Sequence, residues 1–341
     1  LPEIQQGSED AMKITFKPMW PPEKQVKRLF AASGMYSSGP TDRDGKRSRK
    51  LAIGQARAAG ARSSHDQSYQ TPIYAKTTGK KYEAVAASLL RFCVDTDRAN
   101  TIDSVTPEHI KDFLMTKLGC RKATFDAYTS ALGKLDSALS KACGRPPQWK
   151  ELLKEMRLAA AVVLKGEQPA RAYSRPQEII DKLTGKYLLV GELQYRAGFR
   201  ISEATGTGGF KPLSAENLKG VTIDPYLKKP AGLITVTGKG GKRRVVPIPI
   251  ELYRRLENHI LLNGELTVHQ GLYRSLLKDA AVQTGQKYAG RSSHGLRWCY
   301  VQDVSDVLCA MGYPAEEAML EAQKRLGHND LHHTWRYNRR G

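Results

Sequence analysis

The run Lys165-Gly166-Glu167-Gln168-Pro169-Ala170-Arg171 divides this chain. A stretch so poor in apolar side chains, holding both glycine and proline, has nothing to bury and cannot carry a helix through. It predicts an interdomain linker over residues 165–172 with a lobe on either side. At 341 residues, the chain is long enough for two lobes with cores of their own.

Upstream of the linker, residues 71–164 read as amphipathic helices. Lys80 to Val94 sets Tyr82, Val85, Ala86, Leu89, Leu90 and Phe92 near a 3.6-residue period. Thr106-Pro107-Glu108-His109 predicts a helix start, with threonine as N-cap and proline where its missing N–H costs nothing. A third helix is expected from Lys122 to Ala142, stopped by Gly144-Arg145-Pro146-Pro147, and a fourth from about Trp149 to Val163. Downstream, residues 176–198 predict two helices, 232–236 and 243–250 a β-hairpin, and the rest mostly helix. The expected fold class is mainly α with a small β-sheet. The first 70 residues have prolines at positions 18, 21 and 22, a turn at Ser37-Ser38-Gly39-Pro40 and little apolar periodicity. They predict a basic arm, with a small accessory nucleic-acid-binding segment as the sharper alternative.

The formal net charge of +20 makes a polyanion the expected partner. Residues 1–70 hold 12 Lys+Arg against 7 acidic residues, 71–171 hold 17 against 11, and 172–341 hold 25 against 16. An excess in every segment suits a chain that wraps its ligand better than one with a single basic patch. No apolar run approaches the roughly 20 residues needed to span a bilayer. The five cysteines, at 93, 120, 143, 299 and 309, are odd in number and include no C-x-x-C pair, so they predict reduced thiols and no zinc. His328, His332 and His333 have only Asp330 nearby, which does not complete a metal shell. The Gly238-Lys239-Gly240-Gly241-Lys242 phrase lacks P-loop spacing and leads into a strand. No metal or nucleotide cofactor is expected.

The chemistry concentrates near the end of the chain, where His294-Gly295-Leu296-Arg297 is followed by Leu326-Gly327-His328 and, nine residues on, by Tyr337. Upstream stand Arg200 and Glu203, in Ala197-Gly198-Phe199-Arg200-Ile201-Ser202-Glu203, and Lys239 at the expected hairpin tip. Phosphodiesters resist attack because their oxygens are anionic, and fixed guanidiniums can bind two such oxygens at once. A tyrosine with a histidine in reach can serve as a protein nucleophile. For each residue taken alone the plainer reading is an arginine paired with a carboxylate, a packed tyrosine or a solvated lysine. The six together favour phosphoryl transfer.

In order and type, these residues resemble the tyrosine recombinases, the family of phage integrases, Xer-type resolvases and Cre, over about residues 173–341. The resemblance implies a catalytic set of Arg200, Lys239, His294, Arg297, His328 and Tyr337. In it Tyr337 is the nucleophile, His294 the general base, Lys239 the general acid, and His328 a hydrogen-bond donor to a phosphate oxygen. Glu203 would orient Arg200. Lys242, Arg243 and Arg244 would contact DNA, as would Lys46, Arg47, Arg49 and Lys50 of the arm. Residues 71–164 look like the family's helical core-binding domain, whose basic outer faces would touch DNA, and the two domains would form a clamp around it.

The implied activity is site-specific cleavage and rejoining of double-stranded DNA through a 3′-phosphotyrosyl ester, by a homotetramer and without metal or ATP. Accessory DNA-bending or directionality proteins are the further partners implied, and the implied location is cytoplasmic, with the nucleoid. Two alternatives stay open: a strand transferase like type IB topoisomerases or telomere resolvases, and a catalytically silent DNA-binding protein. The resemblance also predicts a helix after Tyr337 that docks on a neighbouring protomer, where the sequence holds four residues. The interval from Arg297 to His328 is long for the family.

Overall fold

The computed structural model describes residues 14–36, 51–52, 55, 58, 72–73, 76–164, 170–238, 241–328 and 330–339. Lys46, Arg47, Arg49, Lys50 and Lys239 lie outside the described residues. The chain divides into two units, Leu1–Glu167 and Gln168–Gly341. Its described residues are mainly helical, with a three-stranded and a two-stranded antiparallel sheet. No described helix is long and apolar enough to cross a membrane.

The first unit is built on helices α1 (Pro22–Ala32), α2 (Lys76–Asp95), α3 (Pro107–Met115), α4 (Lys122–Cys143) and α5 (Lys150–Val163). The predicted helix start at Thr106 has a reciprocal cap, in which Thr106 Oγ1 accepts from His109 N and His109 Nδ1 accepts from Thr106 N. Gly144, in the left-handed conformation at φ 68°, ends α4.

Helix α1 departs from the expected arm. Its Val26, Leu29 and Phe30 are fully buried and share one core with α2 to α5. Gln25 ties it in: the amide donates to Trp20 O (2.9 Å) and Asn100 O (3.1 Å), and its oxygen accepts from Ile102 N (3.0 Å). The 26/29/30 spacing is helical, and Pro22, read as punctuation, is instead a first-turn proline.

A buried carboxylate starts α5. Asp136 on α4 accepts from Trp149 N (2.9 Å) and Gln148 N (3.2 Å), satisfying donors that the helix leaves unpaired and placing negative charge at its positive end.

The second unit begins with α6 (Pro176–Ile180), α7 (Gly185–Ala197) and α8 (Ile201–Thr205). Strands β1 (Leu213–Ser214), β2 (Leu218–Ile223), β3 (Pro230–Thr237) and β4 (Arg243–Pro249) follow. Then come α9 (Ile250–Asn263), β5 (Glu265–Leu266), α10 (Gln270–Gln283), α11 (His294–Ala310), α12 (Ala315–Leu326) and α13 (Leu331–Trp335). A 3-10 turn, Arg336–Asn338, carries Tyr337. The predicted hairpin is β3–β4, with Ile234 opposite Val246 and Thr237 opposite Arg243. Strand β2 adds to it as an edge, and β1 pairs with β5. Two packed helices, α11 and α12, fill the long interval between Arg297 and His328, sharing a core of Val301, Val304, Leu308, Met319 and Leu326.

Replacing Asp136 with alanine strands two backbone donors in the first unit's interior and should lower its unfolding free energy by about 2–4 kcal/mol, with asparagine costing less. Urea titration of the full chain measures this. An unchanged midpoint for Asp136→Ala would show that water serves those donors equally well.

Candidate active site

Two helix ends prepare the site. Gly198 closes α7 at φ +64°, where a Cβ would also lie 2.4 Å from the Tyr300 ring, and the reversal delivers Phe199 and Arg200. Gly327 closes α12 at φ +66°, over the side chain of Arg244. Each end turns a carbonyl onto Arg297. The Arg297 guanidinium donates from Nη1 to Gly198 O and from Nη2 to Leu326 O (2.9 Å), and Nη2 also meets His328 Nε2 at 3.2 Å. Arg297 is fully buried, and its Nε has no partner among the described residues. A buried guanidinium with one unspent donor is suited to an anion.

Glu203 is the counter-charge. Its carboxylate accepts from Arg200 N (2.8 Å) and Nη1 (2.7 Å) and from Arg244 Nη1 (3.1 Å) and Nη2 (2.7 Å), with Arg297 Nη1 at 3.9 Å. Burial opposes its ionisation, but the Arg244 hydrogen bonds and the charges of Arg244, Arg297 and Arg200 prevail and hold the carboxyl at about 2.

Arg244, expected to contact DNA, is instead buried, with Nε donating to Arg325 O (2.8 Å) and its fork on Glu203. Strand alternation explains the correction: Arg243 and Val245 face outward, and Arg244 between them faces in. Lys242 and Arg243 are exposed.

Tyr337 is 8% exposed, and its Oη lies 2.9 Å from His294 Nε2. Burial, then the charges of Arg297, Arg171 and Arg200, lower the His294 pKa to about 4, so its imidazole is neutral at pH 7 and able to take a proton. His328 is lowered to about 3, by burial first and then by Arg297 and Arg200. Its Nε2 accepts from the Arg297 guanidinium, which leaves its proton on Nδ1, 3.0 Å from Thr334 Oγ1.

A cavity of about 260 Å³ opens beside these groups. Its lining joins His294, His328 and Tyr337 to Arg171, Trp298, His333 and Arg336. The structure therefore brings together Arg200, Glu203, His294, Arg297, His328 and Tyr337. Arg171, Trp298 and Arg336 went unread in the sequence. Arg171 was counted with the linker, and only the helical spacing of Trp298 from His294 could have drawn attention to it.

Neutral imidazoles inside the fold set a pH signature. Between about pH 6.5 and 4 the unfolded chain protonates His294 while the folded chain does not, and for His328 the window reaches about 3. Protonation thus favours unfolding, so stability is highest above pH 6.5 and falls as pH drops. By pH 5 the loss should be about 1 kcal/mol per imidazole, allowing for solvent screening. Glu203 adds little between pH 7 and pH 5, because its own contribution fades from about pH 4.5 to 2. Urea titrations at pH 7 and pH 5 should show a smaller pH 5 penalty for His328→Asn than for the unsubstituted chain. Equal penalties would place the titration elsewhere.

No family model matches the sequence, and no curated protein matches it. Among solved structures the chain is similar to XerH site-specific recombinase. Against a post-cleavage complex with palindromic difH substrate, the TM-score is 0.57 at 14% identity, covering 94% of this chain and 93% of that one. Against a pre-cleavage complex with difH substrate it is 0.56 at 14% identity, covering 96% of each. At that identity the likeness is one of architecture, and what it shows is that this chain has the tyrosine recombinase fold.

Proposed function

We propose that this protein is a site-specific DNA recombinase that cleaves and rejoins strands through Tyr337. The observation that carries the reading is the 2.9 Å contact between Tyr337 Oη and the Nε2 of a neutral His294, beside a buried arginine with an unspent donor. The net charge of +20 and the likeness to a recombinase seen with its substrate before and after cleavage support it.

In the cleavage step, Tyr337 Oη bonds to phosphorus as its proton passes to His294 Nε2, and the bond from phosphorus to the 5′ oxygen breaks. The 3′-phosphotyrosyl ester conserves the bond energy, and Lys239, which falls between β3 and β4 in the sequence, protonates the departing oxygen. Arg297 and Arg200 hold the non-bridging oxygens, where loss of one such donor costs about 3 kcal/mol in the transition state. His328, whose Nε2 accepts from Arg297, steadies that guanidinium beside the phosphate. Attack by the freed 5′ hydroxyl of the partner strand reverses the chemistry and joins new neighbours. Four copies, two on each duplex, exchange strands in turn through a four-way junction, and an integrase or resolvase role is the form this takes.

The DNA covalently trapped on the protein in cells should share one sequence, the recombination site. Tyr337→Phe should trap none while still binding that site in a mobility-shift assay, and an adduct on the phenylalanine variant would end the nucleophile assignment. Relaxation of plasmid lacking the site would favour the topoisomerase-like alternative. Lys239→Ala should lose cleavage of an ordinary nicked substrate and recover it when sulfur replaces the 5′ leaving oxygen, because a thiolate leaves unprotonated. Failure of that rescue would move the acid to another residue, with Lys242 first in line.

A further inference from the structure

Helix α11 grips the tyrosine at three places. His294, Trp298 and Gln302 are spaced four residues apart and so lie along one face. His294 Nε2 meets Tyr337 Oη at 2.9 Å. The Trp298 indole stacks on the Tyr337 ring, with centroids 4.9 Å apart and planes inclined by 25°. Gln302 Nε2 donates to Tyr337 O (2.9 Å) and Arg339 O (3.0 Å). Hydroxyl, ring and backbone are held by successive turns of one helix.

We propose that Trp298 and Gln302 are positioning residues that aim Tyr337 at the scissile phosphate. The proposal rests on the strand-cleaving reading above. The tyrosine sits on a three-residue 3-10 turn after a five-residue helix, segments with few internal hydrogen bonds to fix them. The restraint has to come from outside. A near-parallel indole bars the phenol from tipping toward α11, and because Oη lies on the ring's long axis this limits the direction in which Oη can point. Gln302 fixes the other variable, the depth at which the turn sits against α11. Neither side chain is placed to accept the phenol proton, so their effect is on the frequency of a productive approach.

The test is single-turnover adduct formation on a nicked duplex carrying the recovered site. Trp298→Ala and Gln302→Ala should each form adduct about tenfold or more slowly, the scale expected when a reacting group is misplaced by a fraction of its reach. Binding of the same duplex should stay within about twofold, and Trp298→Phe, which keeps an aromatic face, should recover most of the rate. A second arm uses hydrogen peroxide as added nucleophile in the Tyr337→Phe background, where the peroxide anion bonds to phosphorus as the 5′ oxygen leaves. There Trp298→Ala should change nothing, because no tyrosine remains to be aimed. Adduct formation at the unsubstituted rate in both alanine variants would overturn the proposal. So would an equal loss in the peroxide reaction, which would place Trp298 with the phosphate-binding groups or with folding. If the unsubstituted chain forms no adduct at all, the strand-cleaving reading itself fails, a result distinct from variants that match an active parent.

Discussion

The buried carboxylate of Glu203 faces three guanidiniums, those of Arg200, Arg244 and Arg297, and the site's geometry depends on it. Cations packed so closely repel one another, and taking any of them out of water carries a desolvation cost that only good pairing offsets. Glu203 offers its oxygens to four hydrogen bonds, two from Arg244 and two from Arg200, and stands 3.9 Å from Arg297. Even so, burial and the charge of Arg200 lower the Arg297 pKa to about 10, still protonated at neutral pH but short of an ordinary arginine. The network extends outward: Arg244 Nε holds Arg325 O, and the Arg325 fork is bidentate on Asp224, both contacts at 2.8 Å, with Nε on Glu321. Strand β4, helix α12 and the turn after β2 are thereby tied to the charge that organises the pocket.

Much of this was legible in the sequence because a few residue types leave strong local marks. Glycines that need a positive φ, the proline after Thr106 and apolar residues at helical spacing mark where helices start and stop. The candidate site was read for a different reason, from the order and spacing of its residue types, and among the described residues Arg200, His294, Arg297, His328 and Tyr337 lie together. Their roles are matters of chemistry that the proposed experiments address.

What escaped reading has physical causes. Strand β2 is exposed along most of its length and interrupted by an irregularity between Leu218 and Val221, so it shows no clean alternation. Strands β1 and β5 are two residues each and exist only because the fold brings them side by side. Helix α1 was hidden by prolines that open it. Arg244 was read with Lys242 and Arg243 as one basic group, although the period of a strand separates neighbours onto opposite faces. Trp298 and Gln302 carry no charge and match no motif, and their meaning appears only once Tyr337 is seen to lie across them.

Helix α11 carries His294, the fully buried Arg297 and the side chains that hold Tyr337, all measured from a single axis. When that axis shifts by a few tenths of an ångström in thermal motion, these groups travel as a set and their mutual spacings are conserved. Displacements of this common kind leave the spacing of Tyr337 from His294 and Trp298 intact, whereas Arg200 stands at the start of another helix, α8. The setting of Tyr337 is therefore kept constant by a shared helical ruler, while its distance from Arg200 depends on how two elements pack.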